Sequence, residues 1–311
     1  MDINLENFTV IEDFGENGVY ERLLVADENN LKLFIKKTTK RILLDENKKK
    51  YFENELSVNK TFDHENIIIF IDKKEILNDI FLIFEAINGG NLNDYFKQYK
   101  EKFGAFPEEL VQKIIKQISS ALKYLHEKHI IYRNLALNNI FLNFDSEEDL
   151  SNFNISDATM KLGNFHLCKI LEENELAHSF IGIPIYMDPN ILFYPDNKDK
   201  IEYEYKADIW SLGIICYELL VGITPFEGND YDDLVNNMQK GKYLIPKKLN
   251  LSKEAISFIN GMLQYDPSKR FDINDVINHD FLKKNVKDFS HEKYDLGEIN
   301  ENGITLNINI N

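Results

Sequence analysis

Ile130-Ile131-Tyr132-Arg133-Asn134-Leu135-Ala136-Leu137-Asn138-Asn139 is the stretch that decides how this chain is read. Two β-branched residues lead into a polar run that holds an arginine, an amide beside it, and a second amide five positions on. Upstream, Leu110, Ile114, Ile118, Leu122 and Leu125 recur every three to four residues, the period of a helix with one apolar face. Pro107-Glu108-Glu109 opens that helix, with proline in the tolerated first turn and acids at the positive end of the dipole. Downstream, Met160-Lys161-Leu162 runs into Gly163-Asn164-Phe165-His166, and Asp208-Ile209-Trp210-Ser211-Leu212-Gly213 carries the only tryptophan.

The 311 residues are 43% hydrophobic and 28% charged, enough core-forming material for one large or two closely associated domains. With 36 basic against 52 acidic residues the net charge is -16, which repels nucleic-acid backbones and anionic lipid. The longest apolar runs, Ile67–Ile71 and Leu212–Cys216, are too short to span a bilayer. Met1–Glu6 has neither secretory nor basic transit character, and Cys168 and Cys216 lack metal-ligand spacing. Neither a nucleic-acid nor a membrane partner is expected, and the expected compartment is the reducing cytoplasm.

Phe8–Phe34 alternates short apolar stretches with Gly and Asn, as in a twisted antiparallel sheet. Within it, Gly15-Glu16-Asn17-Gly18-Val19-Tyr20 fits a plain turn and also a backbone approach to phosphate. Leu31–Lys36 reads as a strand ending on lysine, Lys48–Thr61 as a helix that buries Phe52 and Leu56, and Ile80–Phe84 as a buried strand.

In order and spacing these motifs resemble the protein kinase family, on its Ser/Thr branch, over about residues 8–285. The resemblance implies an α+β, bilobal fold. A small antiparallel sheet with one helix would form an N-lobe over about 8–86, with a hinge over about 85–91. A mostly helical C-lobe would cover about 92–287, followed by a polar, Asn-rich tail over 288–311 that reads equally as a frayed strand or as disorder. Tyr132-Arg133-Asn134-Leu135…Asn139 stands for His-Arg-Asp-Leu…Asn, Gly163-Asn164-Phe165-His166 stands over Asp-Phe-Gly, and Leu33-Phe34-Ile35-Lys36 stands for Val-Ala-Ile-Lys. By the same resemblance Lys36 pairs with Glu55, Gly15 and Gly18 belong to an eroded Gly-rich loop, Phe84 is the gatekeeper, and the backbones of Glu85 and Ile87 face adenine. Phe165–Asn190 reads as the activation segment with Ser179 as a regulatory site, and Asp208 braces the catalytic loop. Lys247–Arg270 is similar to the autophagy-initiating kinases.

The chemistry expected of that resemblance is damaged. The family needs a carboxylate to accept the substrate proton, and Asn134 has none; losing a general base costs ~10²–10⁴ in rate. Ala136 lacks the lysine that steadies the phosphoryl group. Asn139 keeps a metal-ligating amide, but Asn164 offers a neutral carbonyl where Mg²⁺ wants an anion. His166 replaces a glycine and reads as a surface-loop residue. Ile183 replaces a threonine, and Asn190 replaces the glutamate that would pair with Arg270. Asp145–Thr159 reads as a solvated acidic insert, with partner docking as its alternative.

The expectation is a pseudokinase acting as a scaffold or allosteric partner of another protein, such as an active kinase, with ATP binding compatible and Mg²⁺ weak or absent. The alternatives are an active, atypical Ser/Thr kinase and a nucleotide-gated switch.

Overall fold

Alternating apolar residues give the first third of the chain a sheet with two different faces. Strands β1 (Thr9–Glu16), β2 (Glu21–Ala26), β3 (Lys32–Thr39), β4 (Phe70–Ile76) and β5 (Asp79–Glu85) pair antiparallel in the order β1-β2-β3-β5-β4. Because successive side chains point to opposite faces, Leu23, Val25, Leu33, Ile35 and Ile83 pack on one side against Ile3. Tyr20, Ile80, Leu82 and Phe84 pack on the other against Phe52 of helix α1 (Glu46–Asn59). The computed structural model describes residues 3–145, 155–170, 184–189, 201–283 and 303–307.

Beyond the hinge the chain is mostly helical. Helices α2 (Leu92–Phe103), α3 (Glu108–Glu127), α4 (Ile201–Val221), α5 (Tyr231–Lys240), α6 (Lys253–Met262), α7 (Ile273–Asn278) and α8 (Asp280–Lys283) surround a single large core. The periodic face of α3 is buried as its spacing implies, with Val111, Ile114, Ile115, Leu122 and Leu125 all without exposure. At about 1.5–3 kcal/mol per buried side chain, this face alone anchors the lobe. From Ala207 to Val221 helix α4 is buried on every side, with only Glu218 partly exposed, which suits a helix at the centre of a domain. Short ribbons β6 (Ile130–Ile131) with β9 (Lys169–Ile170), and β7 (Ile140–Asn143) with β8 (Thr159–Leu162), frame the loop between them. Inside the tail, β11 (Gly303–Asn307) pairs antiparallel with β10 (Lys242–Pro246), so this part of the Ile/Asn alternation is a strand. Among the described residues no helix is long and apolar enough to cross a membrane.

Several boundaries differ from the sequence reading, each for a local reason. Helix α1 begins at Glu46 because the Asp45 side chain accepts the Lys48 N–H. Pro107 sits at the N-cap of α3 rather than in its first turn. Asp208 lies inside α4, which starts at Ile201, and not at a helix start. The stretch from Asp272 to Lys283 forms two helices rather than one. His279 turns extended (ψ 144°), its Nδ1 accepts the Phe281 N–H, and Phe281 drops into the core against Phe258.

Arg270 corrects a further expectation. It is 1% exposed, and its carboxylate partner is Asp188 rather than position 190, which lies outside the described residues. Its other donors reach the carbonyls of Lys206 and Gln264, each at 2.8 Å, and of Tyr265 at 3.3 Å, while its guanidinium lies 5.0 Å from the Trp210 ring. A buried pair that loses one partner leaves a stranded charge. Arg270→Ala and Asp188→Ala are each expected to cost about 3–5 kcal/mol in urea unfolding. Replacing both together, by Met and Leu, should recover most of that loss, and an unchanged midpoint in either single variant would contradict the pairing.

Candidate functional site

The loop at 132–139 is shaped from outside itself. Asp208, with no exposure, accepts the backbone N–H of Tyr132 at 2.9 Å and of Arg133 at 2.8 Å, and bonds His126 Nε2 at 2.9 Å. Arg133 is thereby held at φ 59°, a left-handed conformation that costs an L-residue roughly 1–2 kcal/mol. Tyr132 is fully buried, donates its hydroxyl to the Gly163 carbonyl, and packs on Phe165 at 5.2 Å; burial pushes its phenol well above the ordinary value. Ala136 is buried and opens the turn at Leu137–Asn139, where it presents only a methyl group.

Three amides close on one another beneath this loop. Asn134 Nδ2 donates to the Asn164 carbonyl at 3.0 Å, and Asn139 Nδ2 donates to the Asn134 carbonyl at 2.7 Å. Asn164 Nδ2 donates to Asn139 Oδ1 at 2.9 Å, and Asn164 Oδ1 accepts from Lys36 Nζ at 3.2 Å. Asn164 itself sits at φ 59°, which Asn tolerates better than most residues. The two side-chain oxygens that would face a metal, on Asn139 and Asn164, thus both accept protein hydrogen bonds, and the set contains no anionic oxygen. Mg²⁺ sheds water reluctantly and binds through carboxylates and phosphates. These residues do not fit it. Among the described residues no group of three or more His, Cys, Asp or Glu is arranged to hold a metal.

Lys36 and Glu55 meet at 2.5 Å, and both are buried. The ammonium lies 5.5 Å from the ring centres of Tyr20 and of Phe84. The Tyr20 ring is therefore a core group against Phe52 of α1, although its backbone closes the glycine loop; burial, then the Glu55 charge, drives its phenol far up. Helix α1 also holds the segment after Asn164, since Asn54 Nδ2 donates to the carbonyls of His166 and Cys168. The His166 ring packs edge-on to Tyr51, so it is half-buried on α1 and not a surface-loop residue; burial lowers its pKa.

The glycine loop satisfies its own donors. Gly15 and Gly18 take φ of 73° and 82°, which accounts for glycine at both turns. The Gly15 N–H is bonded to Asp13 Oδ1, and those of Val19 and Tyr20 to Asn17 Oδ1. At the hinge, the Glu85 N–H bonds the Ile69 carbonyl, its carboxylate takes Lys161 Nζ at 2.8 Å, and Ile87 is half-buried nearby.

Phe34 was missed by the sequence reading. It stands where the motif has alanine, pairs with Phe84 across β3 and β5, and tilts against Phe14 of the loop at 6.0 Å. A shallow depression of about 490 Å³ lined by Lys253, Glu254, Phe271 and His279 lies in the helical lobe and shares no residue with this site. Ser179 and Ile183 lie outside the described residues, as does most of the insert; its end is packed inward, with Ile155 and Ala158 buried.

Compared with known families, residues 9–282 match the protein kinase domain. Among curated relatives, the serine/threonine-protein kinase atg1 of Dictyostelium discoideum is 32% identical over 240 residues, 75% of this chain and 32% of the relative. Calcium-dependent protein kinase 5 of Plasmodium berghei is 33% identical over 241 residues, 77% of this chain and 39% of the relative. The human serine/threonine-protein kinase ULK1 is 31% identical over 229 residues, 73% of this chain and 21% of the relative. The chain therefore spans well under half the length of these relatives.

Three partly buried histidines make a prediction about pH. Burial holds His64, His166 and His279 below the usual imidazole value, and Nδ1 of His64 and of His279 accepts a backbone N–H that protonation would break. A depressed folded-state pKa means that the unfolded chain takes up protons first. The stability contributed by the neutral rings is full above about pH 6.5 and drains as pH falls through the lowered folded values. Urea midpoints should decline between pH 7 and pH 5, and His166→Gln should shrink the decline; a flat wild-type profile would contradict this.

Proposed function

The chain belongs to the protein kinase family, and from that premise we propose that it is a catalytically impaired member, a pseudokinase that acts as a signalling scaffold or allosteric partner. The observation that carries this reading is the closed amide network of Asn134, Asn139 and Asn164. An amide is no base near neutral pH, so Asn134 cannot take the substrate proton, and losing that function costs ~10²–10⁴ in rate. Ala136 supplies no cation for the transferred phosphoryl group, and Asn164 supplies no anion for the metal.

The distribution of the changes supports the same reading. Asp208, Arg133, Trp210 and Arg270, which build the fold, are intact, while the groups that move a proton or hold a metal are replaced. A kinase fold kept without its chemistry still offers surfaces. We assign it a protein partner, an active kinase being the class that would gain most from such a fold, and a cytoplasmic setting. The net charge of -16 argues against nucleic acid or an anionic membrane surface as the partner.

One observation favours a second reading, an active and atypical serine/threonine kinase: the Lys36–Glu55 pair is formed. The two readings differ in turnover. Purified protein with Mg²⁺, ATP and a generic Ser/Thr substrate is expected to transfer no phosphate above background, and Asn134→Asp alone is expected to restore none, because Asn164 and Ala136 remain. Wild-type transfer that Lys36→Met abolishes would establish the second reading instead.

A further inference from the structure

We propose that the cleft's own side chains occupy the places of base and metal, with Phe34 as the residue that excludes adenine, so that the lobes are clamped together without any nucleotide. The proposal deepens the pseudokinase reading and rests on it.

The argument begins with strand alternation. Residues two apart on a strand share a face, and Lys36 points into the cleft, where it reaches Asn164. Phe34 therefore presents its ring to the same cleft. It lies in the row where β3 pairs Phe34 with Phe84 and Leu33 with Glu85, the point at which β5 runs into the hinge. Adenine held by hinge backbone would need that volume. The ring is half-buried, leans on Phe14 of the glycine loop, and joins the cluster that includes Val19 and Phe70.

The phosphate end is closed in the same way. The loop N–H groups of Gly15, Val19 and Tyr20 are already bonded to Asp13 and Asn17, so a triphosphate would have to break these bonds beside a carboxylate. At the metal end, Asn164 bonds to Asn139 directly.

The lobes also hold one another without a ligand. Lys36 of β3 bonds Asn164, Glu85 of β5 bonds Lys161 of β8, and Ile68 N–H bonds the Leu162 carbonyl at 2.9 Å. A ligand shifts an equilibrium only by its differential affinity for the two states. With the closed form already made, nucleotide has nothing to shift.

The test is the thermal midpoint of the full chain with millimolar ATP, once with Mg²⁺ and once with EDTA. Wild-type protein should not move under either condition, whereas Phe34→Ala should rise by roughly 3 °C or more with ATP. If Phe34→Ala does not fold, Phe34→Val is held to the same criterion. A wild-type rise would overturn the proposal, as would a folded variant that ATP leaves unmoved. Nucleotide-free Asn164→Leu should unfold at a lower temperature than wild type; an unchanged midpoint would overturn the ligand-free clamp. Wild-type stabilisation by ATP without phosphate transfer would overturn this proposal and leave the pseudokinase reading standing, whereas phosphate transfer would overturn that reading.

Discussion

A single carboxylate with no exposure organises this protein's functional loop. Asp208 projects from the central helix and takes two consecutive backbone N–H groups, Tyr132 and Arg133, together with the ring of His126. Each hydrogen bond to a charged group contributes about 1.5–3 kcal/mol, enough to hold Arg133 in a conformation it would otherwise avoid. The loop's shape therefore depends on residues outside it. The side chains at Asn134 and Ala136 can change chemically while the loop's path stays the same, and Asn139 helps to hold that path by donating to the Asn134 carbonyl. This separation lets the loop keep its outline while its composition changes.

The same distinction applies to Lys36 and Glu55. Their pairing invites the inference that a nucleotide is still being held, but the physics of burial gives another reason for keeping it. Removing one member of a buried ion pair leaves a stranded charge, at a cost of about 3–5 kcal/mol. Lys36 is 4% exposed and Glu55 1%, and the ammonium also bonds Asn164 and lies between two aromatic rings. Neither residue can be lost alone without damage to the sheet–helix contact. Burial alone therefore gives a structural reason for the pair, whether or not it ever meets a phosphate.

Much of the fold was legible because it depends on period. The apolar face of α3, the strand that carries Lys36 and the glycines at positive φ follow from local rules that a sequence displays directly, although that strand runs on to Thr39. What could not be read were long-range choices among similar groups. The resemblance put the usual partner of Arg270 at position 190, where this chain has Asn, yet the carboxylate two residues earlier is the one that reaches it. Alternation shows which face Phe34 shares with Lys36, but not that the hinge and Phe14 lie opposite. His166 looked exposed because its neighbours are loop residues; only the position of Tyr51 and Asn54 on α1 reveals that it is covered. The alanine-to-phenylalanine change at position 34 was visible in the motif, and its meaning depended on the fold.

The two carboxylate-to-amide changes at 134 and 164 are best understood together. An amide carries both donors and an acceptor, whereas a carboxylate only accepts. Asn164 donates to Asn139 Oδ1, and Asn134 donates to the Asn164 carbonyl. A carboxylate at 164 would set oxygen against oxygen at Asn139, and one at 134 would do the same at the Asn164 carbonyl. The Asn164 carbonyl is present whatever its side chain, so each amide is accommodated by its own acceptor rather than by the other replacement. A decaying site would be expected to leave buried polar atoms without partners, at about 1–3 kcal/mol each. Here both replaced side chains find acceptors, a backbone carbonyl and Asn139 Oδ1, although Glu55 Oε2 and the Tyr20 hydroxyl nearby are buried without a hydrogen-bond partner among the described residues. The cleft thus holds three side-chain amides, each donating to a protein oxygen.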